Sequence, residues 1–195
     1  MARGPRIEVP GGIYHVGARG NRGCLIYMDD HEREIFLALL GRLATRNEWR
    51  LGAYCLMSNH YHLLMTIESG LSNGMRDLNG GFSSYTNAKN RLDGHLFKNR
   101  FWCKLITTDA QYLQTARYIV LNPLRAGVCA SPEEWRWSSY RACAGIEFAP
   151  SFLKADGVLR CFADKPEAAR GAYRDFVSEG VAEALAKAAS RGQTP

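Results

Sequence analysis

Apolar residues recur along this chain in two rhythms. Gly12-Ile13-Tyr14-His15-Val16-Gly17-Ala18-Arg19 alternates and is rich in β-formers, which predicts a strand. Gly20-Asn21-Arg22-Gly23 reads as a turn. From Asp29 or Asp30 to about Asn47 the period lengthens to that of a helix, with Ile35, Phe36, Leu39, Leu40 and Leu43 on one side. Arg50 to Met57 and His60 to Ile67 predict two further strands, joined by a tight hairpin break at Ser58-Asn59. Ser72 to Asn90 reads as a second helix with Met75, Leu78, Phe82 and Tyr85 aligned, although Gly80-Gly81 in its interior lowers its propensity. Trp102 to Thr107 gives a fourth strand. Thr108 or Asp109 caps a third helix, which ends or kinks at Asn122-Pro123 because the residue before a proline is pushed out of helical geometry.

The order strand, helix, strand, strand, helix, strand, helix is that of a ferredoxin-like (RRM-like) α+β fold. The expected architecture is a four-stranded antiparallel sheet with helices on one face. The helix after the fourth strand can lie against the other face. Beyond Gly127 the character changes. Pro132-Glu133-Glu134-Trp135-Arg136-Trp137-Ser138-Ser139-Tyr140 is aromatic and is expected to dock back on the core. Short helical patterns follow at 152–162 and 166–177, and 181–195 reads as a frayed helix and tail. The expected organisation is a main domain over 1–130 and a small helical C-terminal extension over 131–195.

Bulk composition changes this picture only in its electrostatics. The 195 residues are 46% hydrophobic and 23% charged, an ordinary globular balance. No stretch approaches the roughly 18 apolar residues of a membrane span, and no apolar run follows Met1–Arg6, so neither a membrane partner nor a secretory leader is expected. Six scattered cysteines, none two or three residues apart, disfavour a cysteine-based zinc ribbon and fit a reduced, cytoplasmic setting. The net charge of +6 is unevenly placed: residues 1–130 carry 16 Lys and Arg against 10 Asp and Glu, whereas 131–195 carry 9 of each. The basic excess belongs to the main domain and points to a polyanionic partner, with nucleic acid the first choice.

The candidate chemistry begins at Asn59-His60-Tyr61-His62. Two imidazoles two apart on a strand share one face, because side chains alternate with period two. Neutral imidazole is the commonest nitrogen ligand for divalent ions, although a half-solvated strand is the plainer reading of the pair. Tyr118 and Asn122 stand four apart, one turn of the third helix. Packed on the sheet, that helix could present both to the histidines. Asn122 would add an amide oxygen as a third ligand, leaving open positions for a phosphate oxygen. The plainer readings are packing for Tyr118 and a helix C-cap for Asn122. An ordinary phenol ionises near pH 10 (an approximate value), so such a tyrosine needs help to act as a nucleophile.

The motifs, in order, are Gly11-Gly12-Ile13-Tyr14-His15-Val16 with Arg19-Gly20-Asn21-Arg22; Tyr54-Cys55-Leu56-Met57-Ser58-Asn59-His60-Tyr61-His62-Leu63-Leu64; Gly94-His95-Leu96-Phe97; Arg117-Tyr118-Ile119-Val120-Leu121-Asn122-Pro123-Leu124-Arg125-Ala126-Gly127; and Trp137-Ser138-Ser139-Tyr140. This set, over roughly residues 5–145, resembles the REP-associated tyrosine transposases, single-tyrosine relatives of the HUH endonucleases. His60-Tyr61-His62 departs from the usual His-aliphatic-His in its middle residue. The resemblance implies nicking and joining of single-stranded DNA near short hairpins through a 5′-phosphotyrosine link. By motif it makes Tyr118 the nucleophile and His60, His62 and Asn122 the ligands of Mg²⁺ or Mn²⁺. Where larger relatives often carry a glutamine, this chain has Asn122. It leaves open whether a monomer or a homodimer builds the site.

Candidate DNA contacts are Arg6 in an N-terminal arm with Arg3; Arg19, Asn21 and Arg22 at the exit of the first strand; and Lys98, Arg100, Trp102 and Lys104, interleaved with Phe97 and Phe101; and Arg125 just past the tyrosine helix. Basic side chains can track phosphates while aromatics stack on unpaired bases. The alternative from another class is a catalytically dormant single-strand nucleic-acid-binding regulatory protein, since ferredoxin-like sheets also bind single strands. The complete set His60, His62, Tyr118 and Asn122, which binding alone does not need, favours the enzyme.

Overall fold

The computed structural model describes residues 8–191. Four antiparallel strands form one sheet: β1 (Gly12–Arg19), β2 (Arg50–Leu56), β3 (His60–Ile67) and β4 (Trp102–Ile106), in the order β2-β3-β1-β4. This is the ferredoxin-like arrangement expected from the element order. Helices α1 (Asp30–Arg46) and α2 (Leu71–Asn90) connect the strands. Asp29 caps α1 by accepting from the Glu32 backbone N–H at 2.8 Å. The Gly80-Gly81 pair does not interrupt α2, whose inward side buries Met75, Leu78 and Phe82.

Strand alternation sorts the two faces. Tyr61, Leu63 and Met65 of β3 point toward α1 and α2, where the Tyr61 ring meets Phe36 at 4.8 Å and its hydroxyl donates to Asn79. His60, His62 and Leu64 point to the opposite face. That face is covered by α3 (Asp109–Val120) and the short α4 (Asn122–Arg125). The third helix steps where Asn122-Pro123 was expected to end or kink it: the chain keeps helical dihedrals through Leu121 and re-forms a turn around Pro123.

Antiparallel register sets Gly17 of β1 opposite His62 on one side and Trp102 of β4 on the other. A Cβ on Gly17 would stand 2.6 Å from both the Trp102 ring and the Tyr61 carbonyl oxygen. The missing side chain lets the indole fold across β1 beside the histidines.

The docking segment does what its aromatics suggest. Leu56 N–H donates to Trp137 O, Ser139 N–H to Tyr54 O, and Trp135 Nε1 to Leu56 O. These bonds cover the outer edge of β2, which an unpaired strand would otherwise expose. Three helices follow, α5 (Tyr140–Cys143), α6 (Ala155–Leu159) and α7 (Pro166–Arg191). The two patterns read separately at 166–177 and beyond 181 are one continuous helix. Gly180 is no break: it lies where α7 crosses α3, and a Cβ there would stand 2.7 Å from Leu121 and 2.8 Å from Arg117. All six cysteines are free thiols. Among the described residues no helix is long and apolar enough to cross a membrane.

Gly17→Ala is expected to destabilise the protein by about 1–3 kcal/mol, the usual cost of overpacking. Urea unfolding measures it, and a shift in tryptophan emission should report the displaced Trp102.

Candidate active site

The imidazoles of His60 and His62 sit edge-to-face with centroids 5.0 Å apart. Each has one nitrogen engaged. His60 Nδ1 lies 2.7 Å from Asn59 Oδ1, and His62 Nδ1 lies 3.1 Å from Nε2 of His15 on β1. Nε2 is therefore the nitrogen each ring can offer to a cation, with a second partner fixing ring orientation as metal-ligating histidines require.

Helix α3 delivers the remaining groups. Thr108 accepts from Gln111 N–H to start it. Ala116, Ile119 and Val120 bury its inner side, and Tyr118 stays 40% exposed with its ring 5.6 Å from His62 and 6.0 Å from His15. Asn122 is 9% exposed. Its Nδ2 donates to the Tyr118 carbonyl at 3.0 Å, so it does cap the helix. Its side chain also faces both His60 and His62. With Nδ2 spent on Tyr118, its oxygen is the atom that faces the imidazoles. Both readings of Asn122 therefore hold at once.

The electrostatics keep the rings neutral. Burial, with His15 and His60 alongside, lowers the His62 pKa to about 3. Burial and the nearby Lys104 lower His15 to about 4. His60 is lowered by burial and by Arg19, its cross-strand neighbour. Desolvation disfavours the charged form of each, so each holds its lone pair. Among the described residues no three His, Cys, Asp or Glu side chains form a metal-binding group. The set that does converge is two neutral imidazoles and an amide oxygen, whose chemistry suits a hard or borderline divalent ion with open positions.

Around this centre, the Arg125 guanidinium lies over the Tyr118 ring at 5.0 Å. Trp102 is 41% exposed and stands 5.6 Å from His62 and 4.7 Å from His15. Lys104, opposite His15 on β4, is exposed on the same face. Arg19, Lys98 and Arg100 are exposed, Asn21 is half-buried in the turn after β1, and Arg22 is exposed there with a left-handed φ of 53°. Phe97 and Phe101 are buried and cannot stack on bases, so Trp102 is the aromatic of that segment available to a ligand. Arg6 lies outside the described residues, as does Arg3.

Two residues at the centre carried no role in the sequence reading. His15 shares the face by alternation, but only the β1–β3 register places it beside His62. Arg117 is buried next to Tyr118 and holds α3 to α7. It donates to Phe176 O at 3.1 Å and to Gln114 at 3.0 Å, stacks on the Phe176 ring at 4.4 Å, and approaches Glu183 at 3.6 Å. Its partners on α7 lie some sixty positions away in sequence, so nothing local announces the clamp.

The family described as Transposase IS200 like matches residues 14–122, from the middle of β1 to Asn122, and so spans both histidines and the tyrosine helix. The chain belongs to the IS200-like transposase family. Among solved structures, a REP-associated tyrosine transposase bound to a REP hairpin matches this transposase with a TM-score of 0.64 at 17% identity. The match covers 78% of this chain and 91% of that one. At that identity the likeness speaks for the fold. A putative transposase from Deinococcus radiodurans R1 matches with a TM-score of 0.43 at 19% identity over 61% of this chain and 95% of that one. No curated protein matches the chain.

Acidification should destabilise the metal-free transposase. A ring that is neutral in the fold down to about pH 3 but protonates near pH 6.5 when unfolded (an approximate value) leaves the unfolded state binding more protons between those limits. The stability is complete above about pH 6.5 and falls below it, by about 1.4 kcal/mol per pH unit for His62 alone. Urea unfolding in chelator at pH 7 and pH 5 measures this. His62→Asn should flatten the dependence.

Proposed function

We propose that this transposase nicks and rejoins single-stranded DNA beside short REP-like hairpins, with Tyr118 as nucleophile and His60, His62 and Asn122 as ligands of one Mg²⁺ or Mn²⁺ ion. The observation that carries the reading is the convergence, within one chain, of the Tyr118 ring at 5.6 Å from His62 with the Asn122 amide, which faces both imidazoles. Binding DNA alone requires none of that arrangement. A divalent ion held there would polarise the scissile phosphate and offset the charge it gains.

The tyrosine oxygen forms a bond to phosphorus as the bond from phosphorus to the 3′ oxygen breaks. The products are a 5′-phosphotyrosine and a 3′-hydroxyl. The phenolic proton leaves and the departing 3′ oxygen takes one up. Attack by a 3′-hydroxyl on the phosphotyrosine reverses the step, one phosphoester replacing another, so no external energy source is needed. Arg125, over the phenol ring, orients Tyr118 and sets positive charge near the phosphate. Trp102 offers a stacking surface to the base beside the cut, and Arg19, Arg22, Lys98, Arg100 and Lys104, with Asn21, track the backbone. Arg6, outside the described residues, joins these candidates by its charge alone. In this reading residues 1–130 carry the chemistry, 131–195 buttress it, and the protein works in the cytoplasm. The REP hairpin held by the structural relative motivates the choice of substrate.

Incubation with a pool of single-stranded hairpins in Mn²⁺ is expected to yield a covalent protein–DNA species, read by denaturing electrophoresis and mapped by mass spectrometry. Tyr118→Phe should abolish it. His60→Ala should bind the same DNA with unchanged affinity but lose cleavage by at least about a hundredfold. An adduct formed by Tyr118→Phe would refute the nucleophile. A released 5′-phosphate with no protein-linked species would point to water instead.

A further inference from the structure

The hairpin tip between β2 and β3 is stapled to the turn that follows β1. Gly20 N–H donates to Asn59 O at 2.8 Å, and Ile26 N–H donates to Ser58 O at 2.9 Å. The Asn59 side chain adds a third bond, in which Nδ2 donates to Gly23 O at 3.0 Å. The other end of the same amide, Oδ1, lies 2.7 Å from His60 Nδ1.

The direction of both side-chain bonds is forced. A peptide carbonyl only accepts, so the end of Asn59 that meets Gly23 O is its NH₂. Turning the amide over would set two oxygens against each other. The end left for His60 is an amide oxygen, which again only accepts, so His60 Nδ1 carries the proton. Burial and Arg19 keep this ring neutral. A neutral imidazole has a single N–H, and Nε2 is left with its lone pair. Asn122 faces His60 as well, but it is shared with His62, and the direct bond at 2.7 Å is that of Asn59.

His62 receives no such instruction. Its Nδ1 faces Nε2 of His15 at 3.1 Å. Either nitrogen can donate to the other, so the pair is satisfied whether the His62 proton sits on Nδ1 or on Nε2. The two rings differ in this respect: the fold sets the proton of one and leaves that of the other to whatever binds.

We infer that Asn59 is a positioning residue for His60. Held by a carbonyl 36 positions earlier in the chain, its amide keeps the His60 proton on Nδ1 before any ion arrives and leaves Nε2 ready to ligate. This role rests on the ligand reading given above. It adds that one ligand is preset by the turn after β1, through the residue that precedes it at the hairpin tip. Outer partners of ligating histidines commonly carry about 10–100-fold in metal affinity, because they fix ring orientation and the site of the proton.

The test uses the full chain labelled with ¹⁵N at histidine, in chelator at about pH 8, where the rings are neutral. Long-range ¹⁵N–¹H correlations read which nitrogen of each ring carries the proton, and His60→Ala and His62→Ala identify the signals. In the parent, His60 is expected as a single Nδ1–H species. Asn59→Leu removes the acceptor and should release that proton to Nε2, with the His62 signals unmoved. Asn59→Asp keeps an oxygen beside Nδ1 but cannot donate to Gly23 O, and should hold the proton in place. Titration with Mn²⁺ alone, followed by the electron paramagnetic resonance of the free ion, should then show Asn59→Leu binding about 10–100-fold more weakly than the parent. Asn59→Asp should bind no more weakly than the parent. A His60 proton on Nε2 in the parent would overturn the role of Asn59. So would a loss of Mn²⁺ by Asn59→Asp equal to that of Asn59→Leu, because Asn59 would then act only by holding the turn. Unchanged Mn²⁺ affinity in Asn59→Leu would leave His60 a ligand and remove Asn59 from the account. If the parent bound no Mn²⁺, the ligand reading would fail and the positioning role with it.

Discussion

The seat of α3 on the sheet is the contact on which the site depends. A face bearing His15, His60 and His62 is a poor surface to cover, since each ring keeps a polar nitrogen. It is covered because the rings are neutral, His15 and His62 bond to each other, His60 bonds to Asn59, and Asn122 faces His60 and His62. The helix is then held from its other side by a buried guanidinium. A desolvated cation is costly without partners, and those of Arg117 come mainly from α7: a carbonyl, a ring and two carboxylates. The helix that carries Tyr118 is thus clamped between a polar sheet face and the C-terminal helix.

The charges are arranged with the same logic. Lone pairs face inward at the imidazoles and the Asn122 oxygen, while Arg19, Lys104 and Arg125 stand at the rim. Arg19 helps to hold His60 neutral and Lys104 His15, and a protonated imidazole could not ligate. An arrangement with electron pairs at its centre and positive charge around it has the polarity that the proposed cation, with a phosphate beside it, would require. Trp102, laid across Gly17, supplies one apolar surface in an otherwise polar cleft.

Much of this was legible in the sequence because it is local. Alternation marked β1 and β3 to the residue, Asp29 and Thr108 marked the helix starts, and Pro123 marked the step after α3. The spacing His60-x-His62 and Tyr118-x₃-Asn122 placed four groups on two faces. What escaped was set by register or by distant packing. His15 becomes a partner of His62 only through the antiparallel offset of β1 and β3. Arg117 reads as an ordinary charged helix residue until α7 closes over it. Phe97 and Phe101 alternate with basic residues as a stacking platform would, yet the turn of the chain before β4 sends both into the core. Gly180, at the crossing of α7 over α3, carries no local mark of that contact.

The central claim is that one chain brings its own phenol to its own imidazoles. Mixing the Tyr118→Phe and His60→Ala proteins tests it directly, because each lacks what the other has. A site completed within each chain predicts that the mixture forms no more DNA adduct than either variant alone. Recovery of the adduct in the mixture would mean that the tyrosine helix serves a neighbouring chain, and would contradict the account.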